Sequence, residues 1–350
     1  MNIFQKTIII LLILILLILL LLYIIEYKPK NIENINVVKN QNKEINLNKT
    51  ISLLTYNIGF ASLDKNQDFF LDGGKGYGNL DKTEQLSNLN GISSILKENP
   101  CDIYLLQEVD LNCTRTHNIN QIDYIRNSLT NYSSSFALFH KVLWIPYPFK
   151  NMMGKVNSGI TTLNSYKSES SRIKLDSAYK FPVSGFMFKR PLLKTIIPIK
   201  NSVKSLVVFN LHLEAYDTNG TREKQLTTLL NNMQTEYDKG NYVIAGGDFN
   251  QYFPNNDGTK YPVINKEYFV AGQIKKDFFS ENFTFENDNT YPTSRLLNIS
   301  YDEKNKDNQF YVIDGFIVSD NIETIFTKVI DTKFEYSDHN PVTIEIKLKK

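Results

Sequence analysis

The stretch Tyr336-Ser337-Asp338-His339-Asn340-Pro341-Val342 sets a carboxylate beside an imidazole, after a polar turn and ahead of a strand. The strand is read from alternation. Val342, Ile344, Ile346 and Leu348 share one face, and Thr343, Glu345 and Lys347 share the other. An acid and a histidine presented together at a strand edge can hold a metal ion, move a proton or stabilise charge. Alone, such a pair is most often a solvated turn. Its meaning depends on whether other strands end in comparable groups.

Working outward, they do. The apolar run of residues 310–318 carries Asp314 within it. An unpaired buried carboxylate costs several kcal/mol, so Asp314 needs a partner, and a histidine is a natural one. Residues 242–250 form a buried-strand run that ends in Gly246-Gly247-Asp248-Phe249-Asn250, with Asp248 and Asn250 two apart. Residues 206–215 are the strongest strand in the chain. Asn210 and His212 fall on one face of it, and Phe209, Leu211 and Leu213 on the other. Residues 102–110 read as a strand with Glu108 at its end, and residues 51–58 as a strand ending at Asn57.

Helical patterns lie between these strands. One starts at Asp81, with Glu84 placed for a capping box, and presents Leu86, Leu89, Ile92, Ile95 and Leu96 before Pro100. A second carries Ile119, Ile122, Ile125 and Leu129, with Arg115, His117, Asn118 and Gln121 before and within it as polar groups that could face a substrate. A third runs from Thr221 to Gly240. The spacing also predicts strands at 136–139, 159–163 and 183–188. The glycine-rich loop of residues 60–80 matches no phosphate-binding fingerprint. The aromatic loop of residues 144–149 suits packing over a core edge, or contact with a lipid or a base. Strands alternating with helices at this spacing imply an α/β sandwich.

The chain has 350 residues, is 42% hydrophobic and carries a net charge of +2. It is long enough for one large core, and no bulk basic field argues for nucleic acid. Two cysteines, Cys101 and Cys113, exclude a disulfide framework. Residues 7–25 are almost all Ile and Leu without charge. As a helix they span ~28 Å, close to a ~30 Å hydrocarbon core. No small-residue cleavage site follows, so an uncleaved anchor is expected rather than a signal peptide. The expected organisation is a short tail at 1–6, a transmembrane anchor at 7–25, a polar stalk at 26–49 and a catalytic domain at 50–350. A single N-terminal anchor ahead of a large domain places that domain outside the cytoplasm.

Taken in order, Thr55-Tyr56-Asn57, Leu106-Gln107-Glu108-Val109, Asn210-Leu211-His212-Leu213, Gly247-Asp248-Phe249-Asn250, Ile313-Asp314 and Ser337-Asp338-His339-Asn340-Pro341-Val342 resemble the endonuclease/exonuclease/phosphatase superfamily. The resemblance runs from about Ile51 to Leu348. It implies the deoxyribonuclease I-like fold, a four-layer sandwich of two mixed β-sheets flanked by helices, in a membrane-anchored, bacterial-type member. Many members have Arg-Ile-Asp where this chain has Val312-Ile313-Asp314, and the Trp-Cys-Asp-Arg type motif of inositol polyphosphate 5-phosphatases has no match.

The resemblance implies a role at each matched position. Glu108 is the main Mg²⁺ ligand, with Asn57 beside it and Asp338 binding or orienting the ion and its waters; Mn²⁺ or Ca²⁺ are alternatives. Asp248 orients or deprotonates the attacking water and Asn250 holds the phosphate. His339 contacts phosphoryl oxygens, with its tautomer fixed by Asp314. His212 stabilises the phosphate or protonates the leaving oxygen. The implied activity is phosphoester hydrolysis by in-line water attack. The substrate stays open between nucleic acid, a lipid (as in sphingomyelinase-type phosphodiesterases) and a small phosphodiester, and no obligate protein partner is implied. A nuclease needs basic residues at the pocket, and Lys141, Lys150, Lys155, Lys189 and Arg190 are the candidates. An inactive binding module on this fold would have lost Glu108, Asp248 or His339, and all three are present.

Overall fold

The computed structural model describes every residue except 150, 218 and 257. Two large sheets form its centre. The seven-stranded sheet runs in the order β1 (Ile32–Ile35), β6 (Glu169–Lys174), β7 (Pro191–Pro198), β8 (Ser205–His212), β9 (Tyr242–Asp248), β15 (Asp314–Ser319) and β12 (Phe283–Glu286). The six-stranded sheet runs β16 (Ile322–Val329), β17 (Val342–Leu348), β2 (Ile51–Asn57), β3 (Ile103–Asp110), β5 (Gly154–Asn164) and β4 (Ser133–Ile145). Two short pairs lie outside them: β10 (Gln251–Tyr252) with β11 (Gly272–Gln273), and β13 (Ser294–Arg295) with β14 (Phe310–Tyr311). The helices are α1 (Ile3–Ile25), α2 (Lys82–Glu98), α3 (Gln121–Ser128) and α4 (Thr221–Asp238).

Alternation along the strands explains the layering. Ile51 and Leu53 of β2 meet Leu206 and Val208 of β8, Ile244 of β9 and Ile344 of β17 in a core between the sheets. The intervening residues face outward. Leu54, Tyr56 and Tyr104 pack under α2 and α3, while Val207, Phe209 and Val243 pack under Leu226, Leu229 and Met233 of α4. The result is the expected four-layer sandwich. Asp81 caps α2 and Glu84 closes the capping box, as its sequence predicts.

Three expectations need correction. Residues 26–49 are not a stalk standing off the domain. β1 pairs antiparallel with β6, Val38 bridges Ser134, and Ile45 is fully buried between the sheets. Isolated isoleucines in a polar stretch are enough to dock it, because the sheet edges beside it offer unpaired backbone groups. Residues 183–188 are not a strand. Pro182 precedes a 3-10 turn at Val183–Phe186, and proline offers no donor to a ladder. Asp314 does not sit inside one long strand either. The Thr293 hydroxyl accepts the N–H groups of Ile313 and Asp314, so pairing breaks and Asp314 opens β15.

Candidate active site

Along the strands the inward-facing row changes from apolar to polar at one end of the sandwich. On β8 it reads Leu206, Val208, Asn210, His212, and on β9 Tyr242, Ile244, Gly246, Asp248. Strand register then aligns the tips, with His212 opposite Asp248 and Asp248 opposite Asp314. Gly247 permits this crowding. At φ 150° it sits where a Cβ would stand 2.0 Å from the Leu211 carbonyl oxygen. Asn210 does not line the site. It ties the sheets together beneath it, accepting from Gln107 Nε2 at 2.9 Å and donating to the Thr161 carbonyl at 2.9 Å.

The other sheet supplies Asn57, Glu108, Asp338 and His339. Alternation from Tyr104 and Leu106 would aim Glu108 at the helices. A bulge between Leu106 and Val109 turns it back, with Glu108 at φ 53°. Asn250, at φ 52°, is a second side chain held in a left-handed conformation, and its N–H donates to Asp248 Oδ1 at 2.9 Å. Such strain costs on the order of 1–3 kcal/mol and clusters at functional sites. Gly59 backs onto Asp338, where a Cβ would lie 2.8 Å from Asp338 Oδ1.

Across the cleft the groups join. Asn57 Nδ2 donates to Asp248 Oδ2 at 3.1 Å and to Glu108 Oε1 at 3.3 Å. His339 Nδ1 donates to Asp314 Oδ2 at 2.9 Å. His212 Nε2 lies 3.4 Å from Asp248 Oδ2 and 3.9 Å from Glu108 Oε1. Burial opposes charging of His339, but Asp314, Asp338 and Asp248 outweigh it and raise its pKa to about 10. A protonated ring donates at both nitrogens, so Ser294 Oγ at 3.3 Å is the acceptor at Nε2. His212 is the opposite case. Burial, helped by Arg190 and His339, holds its pKa well below the usual value, so the resting ring is neutral. A neutral His212 is suited to stabilising the phosphate more than to protonating a leaving oxygen.

Burial and then the neighbouring Asp338 push the Glu108 pKa up. Burial also raises Asp338, and burial with Asp314 raises Asp248. Asp248, Asp314 and His339 present ligand atoms within 4.8 Å of one another. In that group Asp314 already serves the imidazole, and both Asp248 oxygens already accept hydrogen bonds. Glu108 and Asp338 are less satisfied. Among the described residues, the Asp338 side chain takes a long 3.4 Å hydrogen bond from Ser337 Oγ and one from its own backbone N–H, and both carboxylates retain some exposure to the cavity. Two buried, mutually repelling carboxylates with free lone pairs fit a hard divalent cation. Asn57 Oδ1 accepts from Gly59 N at 3.1 Å and keeps a second lone pair, while its nitrogen faces the acids. It positions Glu108 and Asp248.

Sequence reasoning named other polar groups. His117 binds the Leu80 carbonyl, and Gln121 is spent on Asp110 N and the Phe60 carbonyl. Arg115 does reach the cavity, in a bidentate pair with Asp110. Of the five basic candidates for a nuclease, Arg190 lines the cavity, Lys189 is paired with Glu26, and Lys150 lies outside the described residues. Arg295 and Ser294 were missed. Both stand in the loop-rich part of the chain, where no periodicity marks them. Arg295 holds the carbonyls of Asp64, Gln67 and Ile299, which fixes the glycine-rich loop as one wall.

Two mixed sheets packed face to face, with acids and imidazoles gathered over one end, define a four-layer α/β sandwich with a candidate acid–imidazole site. The chain belongs to the Endonuclease/Exonuclease/phosphatase family, whose model matches residues 54–339. Members of that family are phosphoester hydrolases that generally use a divalent metal. Among solved structures it is similar to an endonuclease/exonuclease/phosphatase from Beutenbergia cavernae DSM 12333 (TM-score 0.58, 14% identity, 86% of this chain and 72% of that one). It is also similar to the human Nocturnin catalytic domain with bound sulfate (0.51, 16%, 90% and 97%). A third is D. rerio TDP2 with a single-strand DNA product (0.51, 14%, 85% and 99%). At these identities the likeness is one of fold. Comparison with curated proteins returns no match.

Proposed function

We propose that the chain is a metal-dependent hydrolase that cleaves a phosphoester by in-line attack of water at phosphorus. The observation that carries this reading is the pair of under-neutralised carboxylates, Glu108 and Asp338, facing the cavity beside the Asp314-held imidazole of His339. Glu108 and Asp338 would hold Mg²⁺ or a similar ion, which when bound neutralises charge on the phosphoryl oxygens. His339, cationic and fixed by Asp314, donates to a phosphoryl oxygen in place of Ser294. Asp248 is aimed by the Asn250 N–H, Asn57 and His212, and its raised pKa suits it to accept a proton from the attacking water. Asn250 spends one amide N–H on the Leu213 carbonyl and keeps the other for the phosphate. His212 stays neutral and donates a hydrogen bond.

The same reading takes α1 as an uncleaved anchor, with the domain outside the cytoplasm. It is a 23-residue helix, apolar from Ile8 onward and with no buried residue. Glu26, just after it, is paired with Lys189 at 2.8 Å. The test is hydrolysis of p-nitrophenyl phosphodiesters and monoesters by the purified chain in detergent, with Mg²⁺ and with EDTA. EDTA should abolish turnover and Mg²⁺ restore it, and Glu108→Gln should lower it about a hundredfold or more. Turnover that resists EDTA would sink the reading.

A further inference from the structure

We infer that the site acts on a phosphoester whose alcohol is a long apolar chain, taken from the same bilayer that holds α1. This deepens the hydrolase reading and rests on it. The first observation is the cavity over the site, about 360 Å³. Away from the acids and imidazoles its walls are aromatic and aliphatic, with Phe70, Tyr147, Phe186, Phe188, Phe269 and Leu297 among them. Three arginines line it, and all are engaged within the fold: Arg115 with Asp110, Arg190 with Glu214 and the His212 carbonyl, and Arg295 with three carbonyls. A polynucleotide needs a basic track along its backbone, and among the described residues these walls do not offer one. They suit a hydrocarbon chain.

The second observation is what surrounds the cavity mouth. The hairpin of β4 and β5 contributes Ile145, Tyr147 and Met153 to the wall and continues outward into Leu143, Trp144 and Phe149, which are 60%, 55% and 78% exposed. The opposite wall, Phe186 to Phe188, continues through the 3-10 turn into the exposed Val183 and Phe181. His140 Nε2 joins hairpin and turn through the Phe186 carbonyl at 2.9 Å. Exposed apolar side chains on both walls of one mouth make an apron that marks an interaction surface, and tryptophan favours the membrane interface.

The third observation names the occupant of that surface. α1 has no buried residue, yet its C-terminal end is fastened to the same turn. The Tyr23 ring meets Phe181 edge-on at 5.8 Å, and Glu26 accepts from Ser184 Oγ at 2.7 Å and from Lys189 Nζ at 2.8 Å. On the other wall, Lys141 of β4 lies over the Tyr27 ring at 5.9 Å. The segment long and apolar enough to cross a bilayer therefore leaves the domain beside the cavity mouth. With α1 in a membrane, the apron meets the bilayer surface and a lipid chain can pass into the cavity while its phosphate reaches Glu108 and His339. Hydrolysis then forms one bond from water oxygen to phosphorus and breaks one phosphorus–oxygen ester bond, with the water proton ending on the departing oxygen.

The experiment uses the full chain reconstituted in phosphatidylcholine vesicles, with Mg²⁺. The probes are p-nitrophenyl phosphodiesters bearing methyl, octyl or hexadecyl groups, and the thymidine p-nitrophenyl diester. kcat/KM should rise about a hundredfold or more from methyl to octyl, since each buried methylene contributes. The triple variant Leu143→Ser, Trp144→Ser, Phe149→Ser should cut the ratio of hexadecyl to methyl turnover about tenfold or more. A flat alkyl series, or preference for the thymidine ester, overturns the lipid inference and leaves the hydrolase standing. A rise that survives the triple substitution overturns the membrane-docked apron. Failure to cleave any of the esters, with Mg²⁺ or Mn²⁺, removes the hydrolase reading itself.

Discussion

At the scale of single residues, the site is built on partnerships that burial makes compulsory. Asp314 is almost fully buried, and His339 is the group that makes its charge tolerable. Asp314→Asn should therefore lower the His339 midpoint from about 10 toward the ordinary imidazole range, read by NMR of the ring nitrogens across pH. Turnover should fall about a hundredfold, with the midpoint shift distinguishing this from simple misfolding. An unshifted midpoint would remove the pairing from the mechanism. His140 gives a separate test of burial. Its side chain is enclosed, and burial pushes its pKa down to about 4. Above about pH 6.5 the ring is neutral in folded and unfolded chains alike, so it contributes no slope. As pH falls from there toward 4, the unfolded chain takes a proton that the folded one refuses, and stability is lost. The full loss is on the order of 3 kcal/mol. His140→Gln should flatten that part of the profile in urea unfolding at pH 7, 6 and 5, and an unchanged slope would show that His140 titrates freely in the folded chain.

At the scale of elements, the sequence carried the sandwich, because strands with one apolar inner row are written as period-two patterns. The tips were legible for the same reason: Asn57, His212 and Asp248 simply continue an inner row past its last apolar residue. Glu108 was found as a strand-end acid, but its direction was not legible, since alternation aims it at the helices and only the bulge reverses it. Ser294 and Arg295 lie in a stretch whose order comes from pairing with Phe310–Tyr311, a long-range contact that leaves no local period. The misread stalk has the same cause. Ile45 is one isoleucine in a polar segment, and nothing nearby in sequence announces the core it enters. Ile45→Ala is accordingly expected to cost about 2–4 kcal/mol in urea unfolding of the chain in detergent. A loss below about 0.5 kcal/mol, as for a surface position, would restore the stalk.

At the scale of the whole molecule, the two sheets bring together charges that neither would hold alone. β3 presents Glu108, the turn before β17 presents Asp338, and β9 and β15 add Asp248 and Asp314 behind them. One of the two nearby imidazoles is charged, and burial with mutual repulsion raises the pKa values of Glu108, Asp248 and Asp338, so the cluster holds its negative charge poorly without a cation. That arrangement stabilises a cation and destabilises the fold that lacks one. It follows that metal and stability must be linked. A ligand that binds only the folded chain, at a hundredfold excess over its Kd, adds about 2.7 kcal/mol. Thermal unfolding in detergent should therefore move upward with Mg²⁺ or Mn²⁺ after EDTA treatment. Asp338→Asn separates the two effects. It removes one of the repelling charges, so the metal-free variant should melt above the metal-free wild type, while its response to added metal is lost. Gly59 and Ser337 against the same side chain limit larger replacements, which makes the near-isosteric amide the informative one. If Asp338→Asn lowers metal-free stability and keeps the full metal shift, the ion sits elsewhere, and the tighter Asp248, Asp314 and His339 group becomes the place to look.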